Sequence, residues 1–128
     1  MKIIKTFSLA IIIVSITLTF YTMLDYGTPW KYGLQNLFIY ILFGLWATSP
    51  YLSLASAMKH AHTRSTASVL LTGIITISVM GDFIYYDIFI IHQDAQSGAP
   101  FLYVPFLQWI ICFICFAFLR FISKKNTV

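Results

Sequence analysis

A group of acidic and phenolic side chains lies in one apolar stretch of this chain, GDFIYYDIFIIHQDAQSGAP at residues 81–100. Asp82 and Asp87 flank Tyr85 and Tyr86, and Asp94 follows in the more polar part of the stretch. A carboxyl group beside phenol hydroxyls can bind a cation, relay a proton or accept hydrogen bonds from a partner. Which of these three chemistries applies depends on whether the segment that carries the residues is exposed to water. An uncompensated carboxylate is costly only where water is excluded.

Two cysteines offer a second chemistry, since Cys112 and Cys115 have the spacing of a redox pair. They lie inside a long apolar segment, and helical residues three apart lack the loop that such motifs usually occupy. We therefore expect two buried packing thiols. The chain has no Glu, no G-x-S-x-G, no H-E-x-x-H and no phosphate-binding loop. An enzyme is not expected, and neither catalytic residues nor a cofactor are predicted.

Histidines supply two partial metal sites, His60 with His62 and His92 with Asp94. A zinc site needs about three or four protein ligands. Either pair would therefore require further ligands from elsewhere in the chain before it could hold a metal ion. We expect histidines of solvated loops instead, and no metal site is predicted.

Composition places these residues in a membrane protein. Of 128 residues, 59% are hydrophobic and 9% charged, with a mean hydropathy of +0.84, whereas soluble domains carry roughly 25% charged residues. A spanning helix needs about 20 mostly apolar residues, and four segments meet that length: 6–24, 34–58, 65–91 and 101–119. We predict an all-α fold, a single integral membrane domain over 1–128. Short connections favour antiparallel neighbours in an up-down four-helix bundle.

Two patterns inside the segments predict how the helices pack. Ser68, Thr72 and Thr76 repeat every four residues, which indicates a small-residue stripe suited to close helix packing. Pro50 and Pro105 lie within the second and fourth segments. Each removes a backbone donor, so we expect both helices to bend there.

Charge predicts the orientation of the spans. The basic residues gather at one set of segment ends and leave only Lys31 at the other; they are Lys2, Lys5, Lys59, Arg64, Arg120, Lys124 and Lys125. By the positive-inside rule, both termini and the 59–64 connection are cytoplasmic, in a protein of the bacterial inner membrane. The net charge of +4 therefore suits a bilayer with anionic headgroups better than nucleic acid.

Depth in the bilayer groups the polar residues of the spans. Counting 1.5 Å per helical residue from Arg64 puts Asp87 near the outer interface and Asp82 about 5–8 Å inside the hydrocarbon. The same count from Arg120 puts Gln108 about 12 Å below that interface, at a similar depth to Asp82. We predict a polar cluster in the outer half that acts as a binding site; its members are Asp82, Asp87, Gln108, Tyr85, Tyr86 and Asn36.

Two interpretations of Asp82 stay open at this point. In the first, helix three continues to Ile91. Asp82 is then protonated, hydrogen-bonded to Gln108 or a tyrosine, or hydrated in a crevice that opens outward. In the second, helix three ends near Gly81, because 65–81 is already long enough to span. Residues 82–91 then form an interfacial segment, with both carboxylates in water.

The stretch DAQSGAPFLYVPFLQ resembles a signature of small, uncharacterised four-span bacterial inner-membrane proteins. That signature has an Asp-Ala-Gln-Ser turn, an apolar stretch, then Pro and Gln in the last span. The matching residues are Asp94, Ala95, Gln96, Ser97, Pro105 and Gln108. The resemblance covers about fifteen residues and implies no activity. It adds an outer loop to the candidate binding residues, formed by His92, Asp94, Gln96 and Ser97.

Two functions fit these observations. The first is a non-enzymatic membrane protein that binds a partner within or at the outer face of the membrane. An immunity protein and an accessory subunit of a larger complex are two versions of it. The second is a homo-oligomeric pore or cation and proton pathway, with Asp82 and Asp87 in the path. Small size and polar groups confined to one leaflet favour the first function.

Both termini are predicted to be cytoplasmic, and cysteine labelling of intact cells can test this. In a background without Cys112 and Cys115, a membrane-impermeant maleimide should label Ser97→Cys and leave Ser123→Cys unlabelled until the cells are opened. The physical reason is the basic residues gathered around the termini. Labelling of Ser123→Cys from outside would reverse the orientation.

Overall fold

Four long helices make up the described part of the chain. The computed structural model describes residues 1–27, 33–91 and 100–126. Helix α1 is Lys2–Gly27, α2 is Leu34–Lys59, α3 is Arg64–Tyr86 and α4 is Pro100–Asn126. All four are long and apolar enough to cross a membrane, and no strand occurs in these three stretches. The prediction of an all-helical fold with four long apolar helices is confirmed.

The third helix does not end at Gly81. It continues through Asp82 to Tyr86 and then widens into a π-helical turn, Asp87–Ile91. Thr63 caps its start, where the side chain accepts a hydrogen bond from the backbone N–H of Thr66 at 3.2 Å. The interpretation of 82–91 as a separate interfacial segment is therefore wrong, and Asp82 is a residue of the helix itself.

The helices alternate in direction along the chain. The basic end of the bundle is where α1 and α3 begin and α2 and α4 end; the opposite end is called the acidic end. At the basic end, the Lys5 ammonium donates to the Lys59 carbonyl at 3.2 Å, so α1 and α2 are antiparallel. Residues 7–15 of α1 lie beside 75–82 of α3, and residues 18–22 of α1 lie beside 82–90, so these two neighbours are parallel.

The neighbours differ from those of a simple up-down ring. Helix α1 packs on α2 and α3, α4 packs on the same two helices, and α2 meets α3 across the centre. Consecutive α2 and α3 thus share a diagonal of the bundle, where adjacent positions were predicted. The connection at 60–63 permits this, because four extended residues reach about 13 Å. The length of this connection therefore does not decide whether α2 and α3 lie side by side or diagonally opposite each other in the bundle.

The interior has two apolar parts that follow each other along the bundle. The part nearer the basic end is the larger, and its buried members are Ile12, Tyr51, Leu54, Met58, Ala61, Ala67, Leu70, Ile74, Ile77 and Cys112. The part nearer the acidic end contains Met23, Ala47, Tyr85, Phe101 and Val104. Tyr85 packs on Phe101 with ring centroids 5.2 Å apart. Polar side chains lie between the two parts.

The outer surface of the bundle is apolar as well. Large hydrophobic side chains are exposed on every helix, for example Ile3, Phe38, Phe83 and Phe113. In water, a continuous apolar surface of this kind would be an aggregation hazard. It is compatible with contact between the helices and a lipid bilayer.

Pro50 in α2 is accommodated by side chains around it. Proline has no N–H, so the carbonyl of Trp46, four residues earlier, loses its helical donor. The Ser49 hydroxyl donates to that carbonyl at 2.7 Å, and the Trp109 indole N–H of α4 donates to Ser49 at 2.9 Å. Trp46 donates in turn to the Leu102 carbonyl of α4 at 3.2 Å. The proline thus becomes a place where α2 and α4 are joined.

The hydroxyl stripe of α3 does not form a helix interface. Ser68, Thr72 and Thr76 are exposed, and each hydroxyl donates to the carbonyl four residues earlier. Glycine provides the close approach instead. A Cβ on Gly73 would lie 2.6 Å from the Cys115 sulfur, and one on Gly81 would lie 2.5 Å from Nε2 of Gln108. The predicted stripe therefore does not pack inside this bundle, because positions 68, 72 and 76 lie on its exposed surface.

Replacing Ser49 should loosen the contact between α2 and α4. Ser49→Ala leaves the Trp46 carbonyl without its side-chain donor and the Trp109 indole without its acceptor. We expect the free energy of unfolding in detergent micelles to fall by about 1–3 kcal/mol. Ser56→Ala, an exposed serine on the same helix, should change it by less than about 0.5 kcal/mol. Equal effects of the two substitutions would contradict this account of Pro50.

Candidate functional site: a polar centre facing the seam of α1 and α3

A group of polar side chains between the two apolar parts is called the polar centre; its members are Ser15, Tyr51, Ser78, Asp82, Tyr85 and Gln108. Gln108 lies at its middle and is buried, with 1% of its surface exposed. Its Nε2 donates to the Tyr51 hydroxyl at 3.1 Å and to the Ile77 carbonyl at 3.0 Å. One amide from α4 therefore joins α2 and α3. Gly81 makes room for that amide, since a side chain at 81 would collide with it. Hydrogen bonds of this type act between helices where water is absent.

Ser15 and Asp82 connect α1 to the same region. The Ser15 hydroxyl donates to Oδ2 of Asp82 at 3.3 Å. Other hydroxyls of α1 behave differently; Ser8, Thr17, Thr19 and Thr22 each donate to the carbonyl four residues earlier. Ser15 thus reaches across to another helix, and it does so toward a carboxyl group. The Tyr51 hydroxyl lies close to Ser15, Ser78 and Asp82, which links this pair to Gln108.

Three buried oxygen atoms in this region have no hydrogen-bond partner among the described residues. They are Oγ of Ser78, Oδ1 of Asp82 and the hydroxyl of Tyr85; the Tyr51 hydroxyl lies close to Ser78 but outside hydrogen-bonding geometry. Positions 78, 82 and 85 are four and three residues apart, so all three lie on one face of α3. Ser78 and Tyr85 are each only 4% exposed. Buried polar atoms are normally satisfied, so these three oxygens leave hydrogen-bonding capacity unused on one face of α3.

Two grooves run along the seam between α1 and α3 and meet at Asp82. The groove toward the basic end has a volume of about 420 Å³ and is lined in part by Ser15, Ser78 and Asp82. The groove toward the acidic end has a volume of about 320 Å³ and is lined in part by Asp82, Tyr85 and Tyr86. Both open to the outside of the bundle. The residues that carry the buried oxygens therefore line grooves on the surface that would face lipid, while the oxygen atoms themselves are covered.

The structure brings some of the predicted site residues together. Asp82, Gln108 and Tyr85 belong to the polar centre, and Tyr86 is half-exposed at the mouth of the second groove. Asp87 and Asn36 are partly buried. The four residues assigned to the outer loop lie outside the described residues: His92, Asp94, Gln96 and Ser97.

A hydrogen bond between Asp82 and Gln108, one of the alternatives for Asp82, is not formed, and the two side chains pair separately. Gln108 binds Tyr51 and the Ile77 carbonyl, while Asp82 accepts from Ser15. Depth along the helix axes predicts that both residues lie near each other. It does not predict which way each side chain points, and here Asp82 points toward α1. Tyr51 lies between them and completes the connection.

Sequence reasoning missed Ser15, Tyr51 and Ser78. Tyr51 carried a usable signal, since the other tyrosines lie toward the acidic end and Tyr51 lies beyond the middle of α2. Ser78 also carried one, because it is one helical turn before Asp82. Ser15 carried none, as α1 contains several similar hydroxyls and only the packing distinguishes them.

The two cysteines and the described histidines, His60 and His62, take no part in the polar centre. Cys112 is buried with its sulfur 3.8 Å from the Pro50 carbonyl, and both cysteines are free thiols. The His60 ring donates from Nδ1 to the Ser56 carbonyl at 2.9 Å at the end of α2. In the part of the chain that the structure describes, no three His, Cys, Asp or Glu residues are placed to hold a metal ion. The pair of His92 and Asp94 lies outside that part.

Replacing Gln108 should destabilise the bundle more than replacing an exposed glutamine. Gln108→Leu keeps the approximate volume but removes both hydrogen bonds, so we expect a loss of about 1–3 kcal/mol in the free energy of unfolding in micelles. Gln35→Leu, at the exposed start of α2, is the matched control and should stay within about 0.5 kcal/mol. A Gln108→Leu variant as stable as its control would show that the amide does not hold the helices.

Comparisons of the chain with protein-family models, with curated proteins and with solved structures found no match. Function is therefore inferred from the residues of the polar centre and from the two grooves beside it. What this geometry offers is a set of oxygen atoms within an apolar seam, with hydrogen-bonding capacity that the described residues leave unused.

Proposed function

We propose that the protein is a non-enzymatic multi-pass membrane protein that binds another membrane protein inside the bilayer. The binding surface is the seam of α1 and α3 around Asp82. One observation carries the proposal: the unpaired oxygens of Ser78, Asp82 and Tyr85 lie on one face of α3, beside two grooves that open outward. An immunity protein and an accessory subunit are two versions of such a binding protein.

The membrane setting is part of this proposal. Four apolar helices and an apolar outer surface support insertion. The basic end carries Lys5, Lys59 and Arg64 among others, and this supports an orientation with both termini in the cytoplasm of a bacterium, across its inner membrane. In that orientation Asp82 and Gln108 lie in the outer half of the bilayer, while Ser15 and Ser78 are close to the midpoints of their helices.

The energetics of the bilayer explain why an occupant is needed. A carboxyl group with one unused oxygen costs several kcal/mol in hydrocarbon. A side chain that donates hydrogen bonds, carried by a partner helix, removes much of that cost. The partner would contribute an Arg, Lys, Asn, Gln or Ser at the level of Asp82. The grooves have room for such side chains, and the exposed Val79 and Phe83 provide apolar contact on either side of Asp82.

A conduction path through one chain is less well supported. Toward the basic end, the residues that follow the polar centre are apolar, and Leu54, Leu70 and Ile74 have no exposed surface. These side chains close the interior where a path would have to continue. A homo-oligomeric pore with Asp82 and Asp87 in its path is the alternative, in which the grooves of several copies would line the channel.

Partner binding can be tested with a photocrosslinking residue in place of Val79, which lies in the groove beside Asp82. In native membranes, irradiation should produce an adduct with another membrane protein. Asp82→Leu should weaken that adduct at least tenfold, because a charge-assisted hydrogen bond contributes about 1.5–3 kcal/mol. Asp25→Leu, an exposed acidic residue of α1, should leave it unchanged.

The same experiment separates the alternatives. An adduct of twice the mass of the chain would identify a second copy as the occupant and support the homo-oligomer. An adduct that Asp82→Leu does not affect would contradict the proposed role of the carboxyl group. Cation or proton flux in liposomes that contain the purified protein, abolished by Asp82→Asn, would replace the binding function with the pathway.

A further inference from the structure

A separate groove lies between α1 and α2 at the basic end of the bundle. Its volume is about 290 Å³, and Lys5 and Lys59 form its rim. The walls below the rim are mainly apolar and are formed by Leu9, Ile12, Ala55 and Met58. This groove shares no lining residue with the two grooves beside Asp82. Whatever occupies it is independent of the partner proposed above.

The rim brings two positive charges together without a nearby acid. The Lys5 ammonium donates to the Lys59 carbonyl at 3.2 Å, which places the start of α1 against the last turn of α2. That bond uses one of the three donors of an ammonium group and leaves two. The acidic residues of the described helices are far away; Asp25, the one on α1, is about 30 Å along the helix from Lys5. The rim therefore attracts an anion.

The groove selects what kind of anion fits. A free phosphate or an acidic peptide would gain nothing from apolar walls that continue toward the interior of the bundle. A molecule with an anionic head and a flexible apolar tail matches both parts. Basic pockets between helices at the cytoplasmic level bind anionic lipid headgroups for this reason.

We infer that this groove binds one anionic phospholipid. The phosphodiester lies against the ammonium groups of Lys5 and Lys59, at the level of the headgroups. One acyl chain follows the groove past Leu9 and Ala55 toward Ile12. Because Lys5 holds the Lys59 carbonyl at the same rim, the bound lipid stabilises the contact between α1 and α2 at this end.

Native mass spectrometry of the purified protein tests this inference. With phosphatidylglycerol added to the detergent, one lipid should stay bound, and with phosphatidylcholine none should. The double variant Lys5→Gln, Lys59→Gln should bind phosphatidylglycerol about 25-fold more weakly, since each lysine near an anionic surface contributes roughly fivefold. The control Arg120→Gln, Lys125→Gln removes the same charge from exposed positions of α4 and should change binding less than about twofold.

A second variant examines the groove apart from the charges. Ala55→Trp fills the space between the walls and keeps both lysines, and it should also lose the bound lipid. Circular dichroism checks that each variant keeps its helices. Equal retention of phosphatidylglycerol by the lysine variant and its control would overturn the inference. Competition by glycerol phosphate, which has no acyl chain, would overturn it as well, because the groove would then contribute nothing.

Discussion

The amide of Gln108 is the interaction on which the centre of this bundle depends. It holds α4 to α2 through Tyr51 and to α3 through the Ile77 carbonyl. In a lipid bilayer, apolar contacts between helices gain little free energy, because the lipid chains around the helices are apolar as well. Polar contacts such as those of Gln108 then have more influence on which helices pack together. Gly81 follows from the same constraint, because only a residue without a side chain leaves the space that the amide occupies.

Much of the fold could be predicted because hydropathy and charge are local properties of a sequence. Four apolar segments of sufficient length gave four helices, and counting along them brought Asp82 and Gln108 to similar depth. The order of the helices could not be predicted in this way. A short connection such as 60–63 fits an edge or a diagonal of the bundle equally well, and the interior contacts decide between them.

The partners of each polar side chain could not be predicted, because helices that are apolar on all sides do not reveal which face is inside. Asp82 faces α1 and Gln108 faces α2 and α3, and nothing in the spacing distinguishes these directions. The hydroxyl residues show the same difficulty. Thr72 donates within its own helix, whereas Ser15 of similar chemistry donates to another helix. The position of a residue along its helix can be read from the sequence. The direction in which its side chain points around the helix axis cannot.

The bond from Ser15 to Asp82 joins residues that are 67 positions apart. Because a chain is synthesised from its N-terminus, α1 and α2 are made before α3. Until then, the Ser15 hydroxyl can donate to its own helix, as the other hydroxyls of α1 do. The bond from Ser15 to Asp82 can therefore form only once α3 packs against α1. The position of this one serine therefore makes a side-chain contact of α1 depend on the later synthesis of α3.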